Sequence, residues 1–252
     1  MSERFSRLAW VLLLTPAICY SITFTNGSFE EGPSSSLTSL PVGSALLVGW
    51  QVVNGGIEAV TAAYWPPADG LYSLDLNGVH SPGGVCQTFD TISGATYQVT
   101  FELAGSYAWG PNYLARVSAA GTTQDYASVA TVIWSNRTFV FTAVSNATTL
   151  SFVDITPDGS GMNGGPTLDD VRVAQTPAFT APLCWPAGGC RLSLALPANG
   201  ICSIQTASNL FVNPTPWEEL TNFVIVGTPV EFTDSSATNH PARFYRVIIT
   251  EP

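Results

Sequence analysis

Lysine is absent: the eight basic residues among 252 are all arginine, set against 18 acidic ones. Without lysine, Schiff-base chemistry and P-loop phosphate binding are excluded. A formal charge of −10 argues against nucleic acid, whose phosphates demand a basic patch. The same balance suits a neutral or cationic partner, and it suits divalent cations. The two histidines, His80 and His240, lie far apart in the chain, so spacing assembles no triad and no histidine-based metal cluster. His80-Ser81 sits in a turn, and Gly159-Ser160-Gly161 lacks the full nucleophile-elbow pattern. Long apolar runs are missing beyond the N-terminus, so no membrane helix is expected in the mature chain. Helical periodicity is missing as well; no segment makes an amphipathic helix.

What is plentiful is Gly, Pro, Thr, Ser and aromatic residues, the composition of short strands joined by turns. Arg4 and Arg7 precede the apolar run Leu8–Leu14, and small residues follow to Ser21. This is the order of a secretory signal peptide over residues 1–21, with cleavage between Ala17 and Ser21. The expected location is therefore outside the cell or at its surface. Four cysteines remain after cleavage, and their pairing is open. Cys184 and Cys190 flank a turn-rich spacer that can bring the two thiols together, whereas Cys86 and Cys202 sit inside apolar strand patterns and read as buried thiols.

Period-two alternation marks strands at 22–25, 49–53, 71–76, 85–89, 96–103, 114–119, 138–142, 149–153 and 168–173, separated by Gly, Pro, Asn and Asp clusters. Many short strands at near-regular spacing read as a sandwich or jelly roll. Residues 175–182 have linker composition. A second set of strands follows at 191–196, 202–207, 224–226, 230–233 and 244–250, in a domain spanning 183–252 that is near the lower size for a self-sufficient core. The fold class expected is all-β, with a jelly roll over 22–174 followed by a small β-sandwich.

Candidate binding residues come from position. Tyr64 and Trp65 precede Pro66-Pro67, and Tyr107, Trp109 and Tyr113 lie in or beside a Gly/Pro-bounded loop. Large aromatics in loops are hard to explain by packing, and they offer a stacking platform for sugar rings. Trp50 reads as core, and Trp134 is a weaker candidate. Asp75 and Asn77 stand opposite Leu74 and Leu76 by the two-residue period, where they can face a groove and hydrogen-bond sugar hydroxyls. Glu30 follows the first strand and Asp169 begins the last strand of the jelly roll. Terminal strands of a jelly roll lie close together, so these two carboxylates with backbone carbonyls can form an oxygen-rich calcium site.

Asn26-Gly27-Ser28-Phe29-Glu30, Gly49-Trp50, Asp69-Gly70 through Gly78, Gln87-Thr88-Phe89 and Leu168-Asp169-Asp170-Val171 occur in this order. Over about residues 22–174 the chain thereby resembles the choice-of-anchor C family of bacterial secreted proteins. That family is similar to plant cell-wall proteins with a galactose-binding-like jelly roll and to several carbohydrate-binding modules. The resemblance implies a structural calcium held by a glutamate and an aspartate at the motif positions of Glu30 and Asp169. Ile204–Leu210, Trp217, Phe232-Thr233-Asp234 and Pro241–Val247 resemble the fibronectin-like module that ends many secreted proteins of planctomycete-type bacteria. The sorting helix and basic stop with which family members often finish are not seen here.

Together these features predict a secreted, non-catalytic protein that recognises extracellular polysaccharide or cell-wall glycan, with calcium as a structural ion and no nucleic-acid partner. An adhesive surface protein that binds other proteins is the alternative. A glycan hydrolase or esterase is the third reading; it would need facing carboxylates or a Ser–His contact in a cleft.

Overall fold

The computed structural model describes residues 9–11, 23–78, 82–106, 113–128, 131–157, 164–179, 189–197, 200–212, 214–226 and 229–250. The chain divides into two compact units, Ser21–Val173 and a second made of Met1–Tyr20 with Ala174–Pro252. Its strands begin with β1 (Ala9–Val11), β2 (Leu37–Leu40), β3 (Gln51–Val53), β4 (Ile57–Thr61), β5 (Tyr72–Asp75) and β6 (Gly84–Asp90). Next come β7 (Thr96–Gly105), β8 (Tyr113–Ala119), β9 (Thr122–Ser128), β10 (Ser135–Thr142), β11 (Ala147–Asp154) and β12 (Pro166–Thr176). The last six are β13 (Ala178–Phe179), β14 (Cys190–Ala195), β15 (Ile201–Ala207), β16 (Glu218–Val224), β17 (Val230–Asp234) and β18 (Arg243–Thr250). Among the described residues no helix is long and apolar enough to cross a membrane.

The first unit is an all-β jelly-roll sandwich. A six-stranded sheet runs β10-β7-β12-β5-β4-β2 and a five-stranded sheet runs β3-β6-β11-β8-β9, so strands distant in sequence lie side by side in both. Alternation sends Tyr97, Val99, Phe101 and Leu103 of β7 inward, where they meet Phe139 and Phe141 of β10 and Phe152 of β11 in one core. Tyr97 stacks on Phe141 at 5.3 Å, and Phe101 meets Phe152 edge-on at 5.1 Å, geometries that add to the burial of these large rings. In β12 the alternation breaks. Leu168 and Val171 both reach the core although three residues apart, and Asp170 takes a left-handed φ of 46°. The break turns Asp169 into a fully buried position and leaves Asp170 to pair with Arg172 at 2.7 Å.

Two departures from the sequence expectation have clear causes. No strand forms over Thr23–Thr25. The Gln87 carboxamide instead accepts from Thr25 N at 2.8 Å and donates to Thr25 O at 2.9 Å, so a side chain replaces the backbone ladder. Strand β9 escapes alternation because it is a polar edge strand in which only Tyr126 and Ser128 are buried.

The second unit places β1, β18, β15 and β16 in one sheet and β13, β14 and β17 in another, a small two-sheet sandwich of fibronectin-like layout. Strand β1, which lies within the signal-like segment, runs parallel to β18. Leu192 and Leu194 from one sheet and Ile204, Tyr245, Val247 and Ile249 from the other form the core. A strand expected at 224–226 is displaced to Glu218–Val224, and Val226 stands 97% exposed beyond its end. Cys190 and Cys202 are both buried; Cys184, the other half of the bridge considered with Cys190, lies outside the described residues. Burial pushes the Cys202 thiol up to about 12, which makes it inert as a nucleophile at neutral pH.

Candidate functional site

The motif Asn26–Glu30 builds one corner of the first unit. Asn26 has a φ of 52°, and asparagine tolerates this left-handed region because its side chain bonds locally. Its amide donates to Glu31 O at 2.9 Å and to Val48 O at 2.8 Å, while its oxygen accepts from Glu31 N at 3.0 Å. Gly27 is required by close approach: a Cβ there would stand 1.9 Å from Val171 O. Phe29, at φ 60°, is held in this unfavourable conformation by complete burial against Trp50, 5.4 Å between rings.

This corner presents Glu30 to the 62–71 connection between β4 and β5. Glu30 Oε1 accepts from Leu71 N at 2.8 Å and Tyr72 N at 2.9 Å. From the other side Asp169 Oδ2 accepts from Ala68 N at 2.7 Å and Asp69 N at 3.0 Å. Ser28 Oγ donates to Asp69 Oδ2 at 2.8 Å. The two carboxylates singled out from the sequence are thus brought to one loop. Asp169 is driven to about 7 by burial, against the lowering effect of the amides of Asp69, Asp170 and Ala68.

Whether calcium fits here can be judged from the donor set. Among the described residues no three His, Cys, Asp or Glu side chains converge, and five amide bonds already point at these carboxylates: two at Glu30, three at Asp169. What remains for a cation is Glu30 Oε2 and the unused lone pair of Asp169 Oδ1. This all-oxygen set has the chemistry calcium takes.

The loop so braced carries the aromatics. Tyr64 is 46% exposed, whereas Trp65 is 7% exposed and donates from Nε1 to Ser73 Oγ at 2.9 Å. The side chain of Trp65 is therefore a plug beneath the loop, not part of a binding surface. Trp134, half-buried at the start of β10, donates to Pro66 O at 2.9 Å and fixes the loop from its far side. Tyr107 and Trp109 lie outside the described residues.

The remaining candidates gather elsewhere, at one end of β5. Asp75, Asn77 and Tyr113 are all buried, which removes them from the sugar-contacting surface expected of them. Asn77 Nδ2 donates to Asp154 Oδ2 at 3.0 Å, and the Asp75 and Asp154 carboxylates accept from Asn77 N and Thr156 N. Burial drives Asp75 to about 7, opposed by the Asn77 amide and reinforced by the charges of Glu58 and Asp154. Asp154 was not singled out from the sequence; its place at the end of an ordinary alternating strand gives no signal.

The Ser–His contact required by an esterase reading occurs in the second unit, where Ser208 Oγ and His240 Nδ1 lie 3.3 Å apart. Ser208 is exposed and His240 half-buried, and among the described residues no carboxylate bonds to the ring.

The first unit is thus a β-sandwich whose N-terminal corner and last strand clamp an aromatic-bearing loop. Residues 22–174 match the family described as "Protein of unknown function (DUF642)", and the chain belongs to that family. It is also 30% identical over 185 residues, 71% of its length, to halomucin of Haloquadratum walsbyi, of which it spans 2%. Among solved structures it is similar to TmCBM61 in complex with beta-1,4-galactotriose, at 18% identity and a TM-score of 0.40 over 62% of this chain and all of that one. A family 35 carbohydrate binding module from Clostridium thermocellum is similar at 19% identity and a TM-score of 0.37, over 55% of this chain and 98% of that one.

Proposed function

We propose that this is a secreted, non-catalytic protein that binds extracellular polysaccharide or cell-wall glycan through the 62–71 loop of its first unit. The observation that carries the reading is the immobilisation of that loop. Backbone amides at 68, 69, 71 and 72, the carbonyl of Pro66 and the indole of Trp65 are all engaged by fixed partners. Tyr64 is left exposed on this frame. A rigid aromatic surface binds with little ordering cost, so the contact energy of a stacked sugar ring is not spent on fixing the loop. The signal-like residues 1–21 and the resemblance to choice-of-anchor C proteins and planctomycete-type terminal modules support secretion. Calcium held by Glu30 and Asp169 would brace the same loop as a structural ion.

Retention on insoluble polysaccharides tests the function. Tyr64→Ala and Trp134→Ala should each reduce retention while the melting temperature stays near wild type for Tyr64→Ala. Unchanged retention in both variants would refute the glycan reading and favour adhesion to a protein. The calcium is tested separately: chelation should lower the melting temperature of the first unit, because an ion bound only to the native state stabilises it. Glu30→Gln should remove the part of that sensitivity which this site supplies.

A further inference from the structure

In the second unit, the outer position of one sheet is filled by a segment that export would remove. The sheet runs β1-β18-β15-β16. Strand β1 pairs Ala9, Trp10 and Val11 in parallel with Arg243, Phe244 and Tyr245 of β18. Those three partners lie inside the signal-like residues 1–21. Their removal leaves β18, eight residues long, as the outer strand of what remains.

A bare sheet edge presents backbone N–H and C=O groups to any passing strand, and natural sheets guard such edges with charges, proline, bulges or short strands. The two edges of this sheet differ in that respect. Strand β16 exposes Glu218 and Glu219, and its pairing with β15 shifts register between Ile204 and Gln205. Strand β18 has no such guard. Its register against β15 is unbroken from Phe244 to Thr250, and it holds neither proline nor an acid. Both of its arginines are turned to partners within the unit. Arg243 bonds Asp234 at 3.0 Å, while Arg246 bonds Gln205 at 2.8 Å and lies over the Trp217 ring at 4.4 Å. Every other residue of β18 is aromatic or β-branched, the types that pair most readily in sheets.

We infer, granting the removal of residues 1–21 that secretion entails, that two exported copies of this chain associate edge to edge through β18, and that the leader caps this edge until it is cut away. The sequence of β18 favours its own copy as the occupant. Tyr245, Val247 and Ile249 face the core, and Phe244, Arg246 and Ile248 face the outer side, so a strand laid alongside must keep the same faces. Antiparallel pairing centred on Arg246 would set two arginines directly opposite, which is unfavourable. Centred on Val247, it sets Tyr245 opposite Ile249, Arg246 opposite Ile248 and Val247 opposite its own copy. The first and last are aromatic and β-branched pairs that stabilise a sheet. A two-fold axis through Val247 repeats each contact and closes the assembly at a dimer. One strand pair is a small interface, so the dissociation constant is expected on the order of micromolar and dilute protein is monomeric.

Sedimentation of the chain recovered from the medium of secreting cells, beside the full chain with its leader kept, tests this. The recovered chain should dimerise and the full chain should not. Two substitutions at one outer-face position test the register. Ile248→Arg faces Arg246 of the second copy and should weaken the dimer by about tenfold, the effect of like charges set opposite at two places. Ile248→Glu faces the same arginine with the opposite charge and should dimerise more tightly than Ile248→Arg, with the difference shrinking as salt rises. Melting curves of the two variants show whether both are folded. A recovered chain that stays monomeric up to about 100 μM, well above a micromolar constant, would overturn the inference. A dimer formed equally by the full chain, or one that both folded variants leave unchanged, would do the same by placing the contact elsewhere. The mass of the recovered chain separates the two readings: residues 1–21 still attached would refute leader removal itself, whereas a cut but monomeric chain refutes only the edge pairing.

Discussion

Two neighbouring aromatics, Tyr64 and Trp65, have opposite fates although the sequence presents them alike. Trp65 fills space under the loop and hydrogen-bonds Ser73, so Trp65→Ala should cost about 3–5 kcal/mol, the usual range for a buried large aromatic. A urea titration should show that loss directly. Tyr64→Ala should leave the urea midpoint nearly unchanged, as expected of exposed positions. The reverse pattern would place the plug and the platform the other way round. Gly27 makes a second residue-scale prediction. A methyl at that position would press on the Val171 carbonyl, and Gly27 O also accepts from Val171 N at 2.9 Å. Gly27→Ala should therefore destabilise by about 1–3 kcal/mol, as overpacking does, with a lowered melting temperature as the measurement.

Among the elements, β12 shows how a local break creates a functional position. A regular strand would alternate through Leu168, Asp169, Asp170 and Val171; the left-handed Asp170 resets the phase and turns Asp169 toward the loop amides. In the second unit, β17 and β18 are tied through a buried polar group. Arg243 Nε donates to Asp234 Oδ2 at 3.0 Å, Arg243 Nη2 donates to Ser236 Oγ at 2.7 Å, and the Tyr245 hydroxyl donates to Asp234 Oδ2 at 3.1 Å. This is a buried pair, whereas Glu231 pairs on the surface with Arg191 at 2.7 Å. Burial opposes ionisation of Asp234, but the hydrogen bonds of Ser236 and Arg243, the Arg243 charge and Tyr245 outweigh it and hold its pKa below the ordinary value. A depressed acid contributes stability above its unfolded pKa and loses it as pH falls through the folded one. The urea midpoint of this unit should therefore be steady near neutrality and fall below about pH 4. Asp234→Asn should cost about 3–5 kcal/mol at neutral pH, because it strands a buried arginine charge. A midpoint unaffected by the substitution would show that the pair is not formed.

At the scale of the whole molecule, the two units have separate hydrophobic cores. The proposed glycan surface and both carboxylate groups lie within the first. Deleting residues 183–252 should leave polysaccharide retention by the remaining chain nearly intact. Loss of retention by a truncation that still melts cooperatively would show that recognition needs the second unit.

Strand content and the sandwich class were legible in the sequence, because alternation such as Tyr97–Leu103 is a local consequence of one face being buried. So was the importance of Asn26–Glu30 and Leu168–Val171, through the pattern of their residue types. What the tertiary structure decided is which groups meet. Glu30 and Asp169 lie far apart in the chain, yet they converge on the amides of 68–72. Asp75 and Asn77 meet Asp154 of the opposite sheet at the end of β5. Trp65 turns under the loop while Tyr64 turns out. Short-range periodicity reports the face on which a side chain stands; it carries no information about the loop or strand that packs over that face. That packing leaves Tyr64 exposed and buries the oxygens beside Asp75.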